Sequence, residues 1–232
     1  LDSSFTIYDD GDQMALAKRG MEEANVDPKK FAPRAILSRI SSAKSQLVSA
    51  EVLALNQETY LDEIVHRVYE RYELLLTRNS AVDFDDLLFK VFALFQNFPR
   101  VAERYQDRYV HLMVDEFQDT NVAQYAIAKQ ISQKYRNVCV VGDPDQSIYS
   151  WRNADIRNIL SFKRDYPDAK IVSLEENYRS TKTILDAAHG LISANTQRVK
   201  KELFTENGRG VPIVVAERHN EEEEAQFVIQ EI

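Results

Sequence analysis

The sequence predicts a mixed α/β fold, a mainly helical region followed by a parallel β-sheet with crossover helices. Two observations carry this reading. From about Asp9 to Asn79 apolar residues recur at helical spacing, with few strand signals. After residue 108, short apolar runs alternate with helical stretches, the pattern of strands joined by crossovers.

Each element has its own signal. In "YLDEIVHRVYERYELLL", Tyr60, Leu61, Ile64, Val65, Val68, Tyr69, Tyr72, Leu75 and Leu76 form one buried helix face. Asp83 is placed to cap "FDDLLFKVFALF", with two further acids in its first turn. Pro99 opens the next short helix. "YVHLMVDE", "NVCVVGD" and "AKIVSLEE" read as short buried strands, and 121–135 and 155–164 as the helices between them. A helix from Thr181 to about Asn195, a strand "PIVVAE" at 212–217 and a helix capped by Asn220 complete the chain.

Composition narrows the classes. At 232 residues and 44% hydrophobic, with six Gly and six Pro, the chain suits one large or two smaller globular domains. No apolar run approaches the roughly 18 residues that span a bilayer, and no signal-peptide pattern opens the sequence. The single Cys139 reads as a reduced core thiol, and a cytoplasmic location is expected. One Cys and four scattered His do not make a zinc site. With a net charge of −8, any binding to nucleic acid must be local, through a groove or stacking residues.

The chemistry gathers in three stretches. In "VHLMVDEFQDT" a buried strand delivers Asp115 and Glu116 to the carboxyl edge of the sheet, where open α/β folds bind ligands. Such acids suit Mg²⁺ with phosphate oxygens, and one can orient or deprotonate an attacking water. The plainer alternative is a strand end with solvated acids. The next strand ends in "VVGDPDQSIYSWRNAD", which puts Gln146 on the same edge as a neutral sensor of a terminal phosphate. There Tyr149, Trp151 and Arg152 offer two aromatic faces and a cation, suited to stacking on single-stranded bases, although a lone Trp is by default a core residue. In "LEENYRSTKTIL", Arg179 is either a surface residue or, if it faces a phosphate across a cleft, an arginine finger.

Together "VDEFQDT", "GDPDQSIYSWRNAD" and "ENYRST" resemble motifs II, III and IV of the UvrD/Rep/PcrA group of superfamily-one DNA helicases, in order and spacing. "VDFDDLL" at 82–88 and "DPKKFAPRAILSRISSAK" extend the similarity over essentially the whole chain. The resemblance implies an ATP-dependent helicase moving 3′ to 5′ on single-stranded DNA, with ATP and Mg²⁺ as cofactors and a single-strand/duplex junction as partner. Asp115 would coordinate Mg²⁺, with Glu116 beside it as general base on the hydrolytic water. Gln118 and Asp119 would stabilise that loop and link it to the DNA-contacting motif, and Gln146 would contact the γ-phosphate. Tyr149 and Trp151 would stack on DNA, with Arg152 supporting the coupling. Tyr178 would pack on adenine and Arg179 would be the arginine finger.

The resemblance also implies boundaries: 1–79 as a helical 1B-like subdomain, 80–172 as the C-terminal half of a first RecA-like domain, and 173–232 as the start of a second. The fold class becomes an incomplete RecA-like (P-loop NTPase) parallel sheet with an inserted helical subdomain. A phosphate-gripping G-x-x-x-x-G-K-[ST] loop should precede these motifs, yet no Gly-Lys pair occurs, and Leu1 rather than Met comes first. An internal fragment of a longer helicase, inactive alone as an ATPase, is therefore expected. Its open sheet edge invites self-association. Between Pro28 and Val48, Lys29, Lys30, Arg34, Arg39 and Lys44 stand without an acid, which is either a local patch for duplex phosphates or a solvated helix face. Two rival functions are a non-catalytic DNA-binding or scaffold module and the motor of a helicase–nuclease. The joint presence of Asp115, Glu116, Gln146 and Arg179 argues against the first.

Overall fold

The most periodic apolar stripe in the sequence builds a 19-residue helix, Tyr60–Arg78 (α4), in a computed structural model that describes residues 4–195 and 201–232. Thr59 and Asp62 close a reciprocal capping box at its start. Ile64, Val65, Val68, Tyr69, Tyr72, Leu75 and Leu76 are buried, whereas Tyr60 is exposed. Against this face pack Asp10–Glu23 (α1), Pro33–Ser45 (α2) and Ala50–Leu55 (α3), which contribute Leu16, Ala17, Met21, Ile36, Ile40 and Ala50 to one core. Thr6–Ile7 (β1) pairs in parallel with Ala81–Val82 (β2), a short sheet that the helical periodicity of this region does not announce.

Asp83 caps Phe84–Asn97 (α5) as its position implies, but its carboxylate faces inward. Lys44, expected either in a patch for duplex phosphates or on a solvated helix face, is buried to 1% exposure. Its ammonium nitrogen lies 2.8 Å from Asp83, 3.0 Å from Asp86 and 2.5 Å from Glu73. The burial has a simple cause: α2 turns Lys44 toward α4 and α5, where three carboxylates converge on its ammonium and the rings of Tyr69 and Tyr72 lie against it. Burial alone would pull the Lys44 pKa down, but the charges of Glu73, Asp83 and Asp86 outweigh it and hold the pKa well above its ordinary value. Lys29, Lys30, Arg34 and Arg39 stay exposed, the first two in a turn before α2 and not on a helix face.

Pro99–Arg108 (α6) leads into Leu112–Val114 (β3), which pairs in parallel with Val138–Val140 (β4) across the crossover helix Val122–Ser132 (α7). Both strands are shorter than their apolar runs, because only three residues of each find a ladder partner. One face of the pair is open, so Met113 is 75% exposed and Cys139 is exposed, not a core thiol. The expected helix 155–164 is two separate turns, Arg157–Leu160 (α8) and Phe162–Asp165 (α9).

The chain divides into two compact units, Leu1–Pro167 and Asp168–Ile232. The second contains Lys182–Ile192 (α10) and Glu221–Glu231 (α11), the latter capped by Asn220. The expected strands 169–176 and 212–217 are absent apart from one parallel bridge, Glu176 to Phe204. An apolar run supplies the side chains of a strand but not its hydrogen-bonding partner, and among the described residues only the end of the first run finds one, at Phe204. Ile171, Val172, Leu174, Val214 and Val215 are accordingly exposed. The described chain is thus a mostly helical α/β protein with small parallel sheets. None of its described helices is long and apolar enough to cross a membrane.

Candidate functional site

Parallel pairing sends the carboxyl ends of β3 and β4 to one edge, and this geometry builds the site. The ladder runs past the strands: Val141 N–H donates to the Val114 carbonyl at 2.8 Å and Phe117 N–H to the Val141 carbonyl at 2.9 Å. Asp115 and Glu116 lie between those two bonds and are pushed outward, both exposed. Glu116 accepts a left-handed backbone (φ 49°, ψ 41°). For a residue with a Cβ this costs on the order of 1–3 kcal/mol and persists only where surrounding contacts enforce it. Here the turn Phe117–Asp119 follows at once, and Phe117 is fully buried edge-on against Tyr125 and Phe162.

Gln118 is the hub. Its side chain is buried, and its amide nitrogen donates to Glu116 Oε2 at 2.9 Å and Asp119 Oδ2 at 3.0 Å. Its amide oxygen accepts from the Asp143 backbone N–H at 3.0 Å. A Cβ on Gly142 would stand 2.6 Å from that oxygen and 3.2 Å from Phe117 N, so the two loops close only because residue 142 has no side chain. Asp143 in turn accepts from Gln146 Nε2 at 2.8 Å through Oδ2. A continuous hydrogen-bonded chain therefore links Glu116, Gln118, Asp143 and Gln146.

Beyond Gln146 the same loop carries the aromatic pair. Trp151 is 71% exposed, so it is not the core residue a lone Trp suggests, and Tyr149 is 38% exposed. Their ring centroids are 6.2 Å apart. The Arg152 guanidinium sits 4.6 Å from the Trp151 centroid and 5.6 Å from that of Tyr149, a cation held against both rings.

Within the second unit, "ENYRST" forms a turn in which Asn177 Oδ1 accepts from the backbone N–H groups of Arg179 and Ser180. Asn207 Nδ2 donates to the Tyr178 and Ser180 carbonyls. Tyr178 is 79% exposed, and its hydroxyl donates to Glu176, which raises its pKa. Arg179 is exposed.

The first unit thus brings together Asp115, Glu116, Gln118, Asp119 and Gln146, with Tyr149, Trp151 and Arg152 on the same loop. Lys29 and Lys30 lie apart, on the turn before α2. Two contributors carry no functional signal in the sequence: Asp143 reads as a turn residue, and Asn158 lies in the unremarkable run "IRNIL". Among the described residues no three carboxylate, His or Cys groups cluster as metal ligands. The acids still suit Mg²⁺, which binds through one or two carboxylates and completes its shell with phosphate and water. The backbone N–H of Glu116 occupies Asp115 Oδ1, and Gln118 occupies Glu116 Oε2.

Residues 1–167 match the UvrD/REP helicase N-terminal domain, and residues 172–232 match the UvrD-like helicase C-terminal domain. The chain is 47% identical over its whole length to the ATP-dependent DNA helicase PcrA of Bacillus subtilis (strain 168), covering 31% of that protein. It is 46% identical to the protein of the same name from Staphylococcus aureus (strain Mu50) and 44% to that of Staphylococcus epidermidis, covering all of this chain and 32% of each relative. The chain spans about a third of the length of these relatives.

Proposed function

The chain belongs to the UvrD/REP helicase family, and on that premise we propose that it is part of a cytoplasmic ATP-dependent DNA helicase that moves 3′ to 5′ on single strands. In this reading the carboxyl edge of β3 and β4 is the hydrolytic half of an ATP site in a RecA-like domain. The chain Glu116–Gln118–Asp143–Gln146, continuous with the loop that exposes Tyr149 and Trp151, is the observation that supports it most.

The roles follow the motifs of that family. Asp115 and Glu116 would hold Mg²⁺, which when bound neutralises charge on the phosphates. Glu116 keeps one carboxylate oxygen beyond its bond to Gln118, placed to take a proton from a water at the strand edge. Gln146, tied to Asp143, reaches toward a terminal phosphate by exchanging that bond for one to the nucleotide. By the resemblance of "ENYRST" to motif IV, exposed Tyr178 would pack on adenine and exposed Arg179 would be the arginine finger. Tyr149 and Trp151 hold successive bases by stacking, which is indifferent to sequence. Lys29 and Lys30 contact duplex phosphates at the junction.

Trp151 is the only tryptophan, so its emission reports on the stacking loop directly. Titration of this chain with oligo-dT is expected to quench Trp151. Tyr149→Ala should weaken the interaction about 5- to 150-fold, the equivalent of about 1–3 kcal/mol for one stacked base. Emission that stays constant at saturating oligonucleotide would remove the single-strand assignment.

A further inference from the structure

The loop after the acidic pair is held from two sides, by the Gln118–Asp143 contact and by Asn158. Asn158, in α8, is buried to 6% exposure. Its side-chain nitrogen lies 3.0 Å from the Thr120 carbonyl, 3.2 Å from Thr120 Oγ1 and 3.2 Å from the Asn121 carbonyl. The Thr120 carbonyl also accepts from the backbone N–H of Asp155 at 2.9 Å. Thr120 Oγ1 in turn donates to the Phe117 carbonyl at 2.7 Å. Asn121 caps α7 through a reciprocal box with Gln124.

These bonds make a second anchor. The segment from residue 142 to 158 begins against Gln118 and ends against Thr120, two residues further along the acidic loop. Tyr149, Trp151 and Arg152 lie on the span between the anchors. A span fixed at both ends to one loop must follow that loop when it moves. Without Asn158 the far end keeps only the Asp155 N–H bond to Thr120, and the middle of the span a longer contact, 3.4 Å, from Ser147 Oγ to the Gln118 carbonyl. Asn158 is a neutral double donor facing three oxygen acceptors, so no hydrophobic or acidic residue of similar shape can replace it.

We propose that Asn158 is a positioning residue that transmits the conformation of the Asp115–Thr120 loop to the base-stacking segment, and so sets the coupling between nucleotide and single-stranded DNA. The proposal rests on the helicase reading above. Coupling of this kind is a reciprocal free energy between two sites, separate from the affinity of either one. Asn158 touches neither ligand position, so its loss should lower the coupling and leave the separate affinities in place.

The test uses the full-length protein. Oligo-dT affinity is measured by fluorescence anisotropy with and without a non-hydrolysable Mg-ATP analogue, and the ratio of the two constants gives the coupling factor. Wild type should show a factor within the usual range of about 5–150, and Asn158→Ala a factor at least about three-fold smaller, the Asp155 bond to Thr120 being retained. Affinity for each ligand alone should change by less than about two-fold in the variant. Asn158→Ser keeps a small neutral donor that is too short to span the three acceptors, so it should behave in the same way and serves if the alanine variant does not fold. An unchanged factor in a folded variant overturns the proposal. So does a parallel loss of both single-ligand affinities and of thermal stability, which marks a purely structural bond. Wild type that binds neither ligand would overturn the helicase reading itself, a result distinct from either of these.

Discussion

Replacing Lys44 by Met removes one positive charge from a closed electrostatic cluster and keeps nearly the same side-chain volume. In the wild-type protein, Asp83 and Asp86 are 2% and 0% exposed, and Glu73 completes the set. Lys90 remains as a nearby cation, 3.3 Å from Asp86 and 3.4 Å from Glu73, but it is one-third exposed. Removing one partner of a buried ion pair destabilises by about 3–5 kcal/mol, because the other charge stays buried and uncompensated. For a chain of this size that corresponds to a fall in melting temperature of about 6–20 °C.

The pH dependence tests the cause. Burial raises the Asp86 pKa more than Lys44 lowers it, so its carboxyl titrates above the ordinary range, as does that of Asp85. An acid whose folded pKa is raised binds its proton more tightly in the folded state. Stability therefore falls as pH rises through the interval between the unfolded value, about 3.9, and the raised folded value. Loss of the ammonium widens that interval, so Lys44→Met should recover part of its deficit when the pH is lowered from 7 toward 5. The Lys44 contribution itself has the opposite sign of charge: it is fully present below about pH 10.4 and is lost as pH rises toward the raised folded value. Urea unfolding followed by far-ultraviolet circular dichroism at several pH values reads both effects. A variant within about 1 kcal/mol of wild type at pH 7, or one with an unaltered pH profile, would refute the view that Lys44 neutralises this cluster.

Further outcomes follow from other parts of the fold. Gly142→Ala forces a Cβ into Gln118 Oε1, costing about 1–3 kcal/mol, and urea unfolding should show that loss. Lys29→Ala with Lys30→Ala should reduce the salt slope of duplex binding by up to about two, at about 0.9 per phosphate contact, and an unchanged slope would clear these lysines of any DNA contact. The exposed run at Ile171, Val172 and Leu174, together with Val214 and Val215, predicts concentration-dependent association of this chain in sedimentation velocity. A single monomeric boundary across a hundredfold range of concentration would count against it.

What was legible in the sequence depended on whether an element needs a distant partner. The α4 face is readable because a helix closes its own hydrogen bonds, so periodicity alone names the buried residues. The capping residues Asp83 and Asn220 sit where local chemistry puts them. Strands 169–176 and 212–217 failed because their apolar character does not show which strand pairs with them. Lys44 failed for a related reason: counting charges between Pro28 and Val48 cannot reveal carboxylates some 40 residues onward that fold against it. In the site, the reactive residue types were visible as motifs. Asp143 and Asn158 were not, because they act through backbone atoms and one another's loops, and no spacing rule announces such contacts.

Under the proposed function, the carboxyl edge of β3 and β4 hydrolyses ATP in response to single-stranded DNA. The most direct measurement is steady-state ATP turnover by the full-length protein, with and without oligo-dT, for wild type and Glu116→Gln. General-base catalysis predicts a fall of about 10²–10⁴ in DNA-stimulated turnover, with nucleotide binding retained. Turnover that survives the substitution at the wild-type rate would contradict the account.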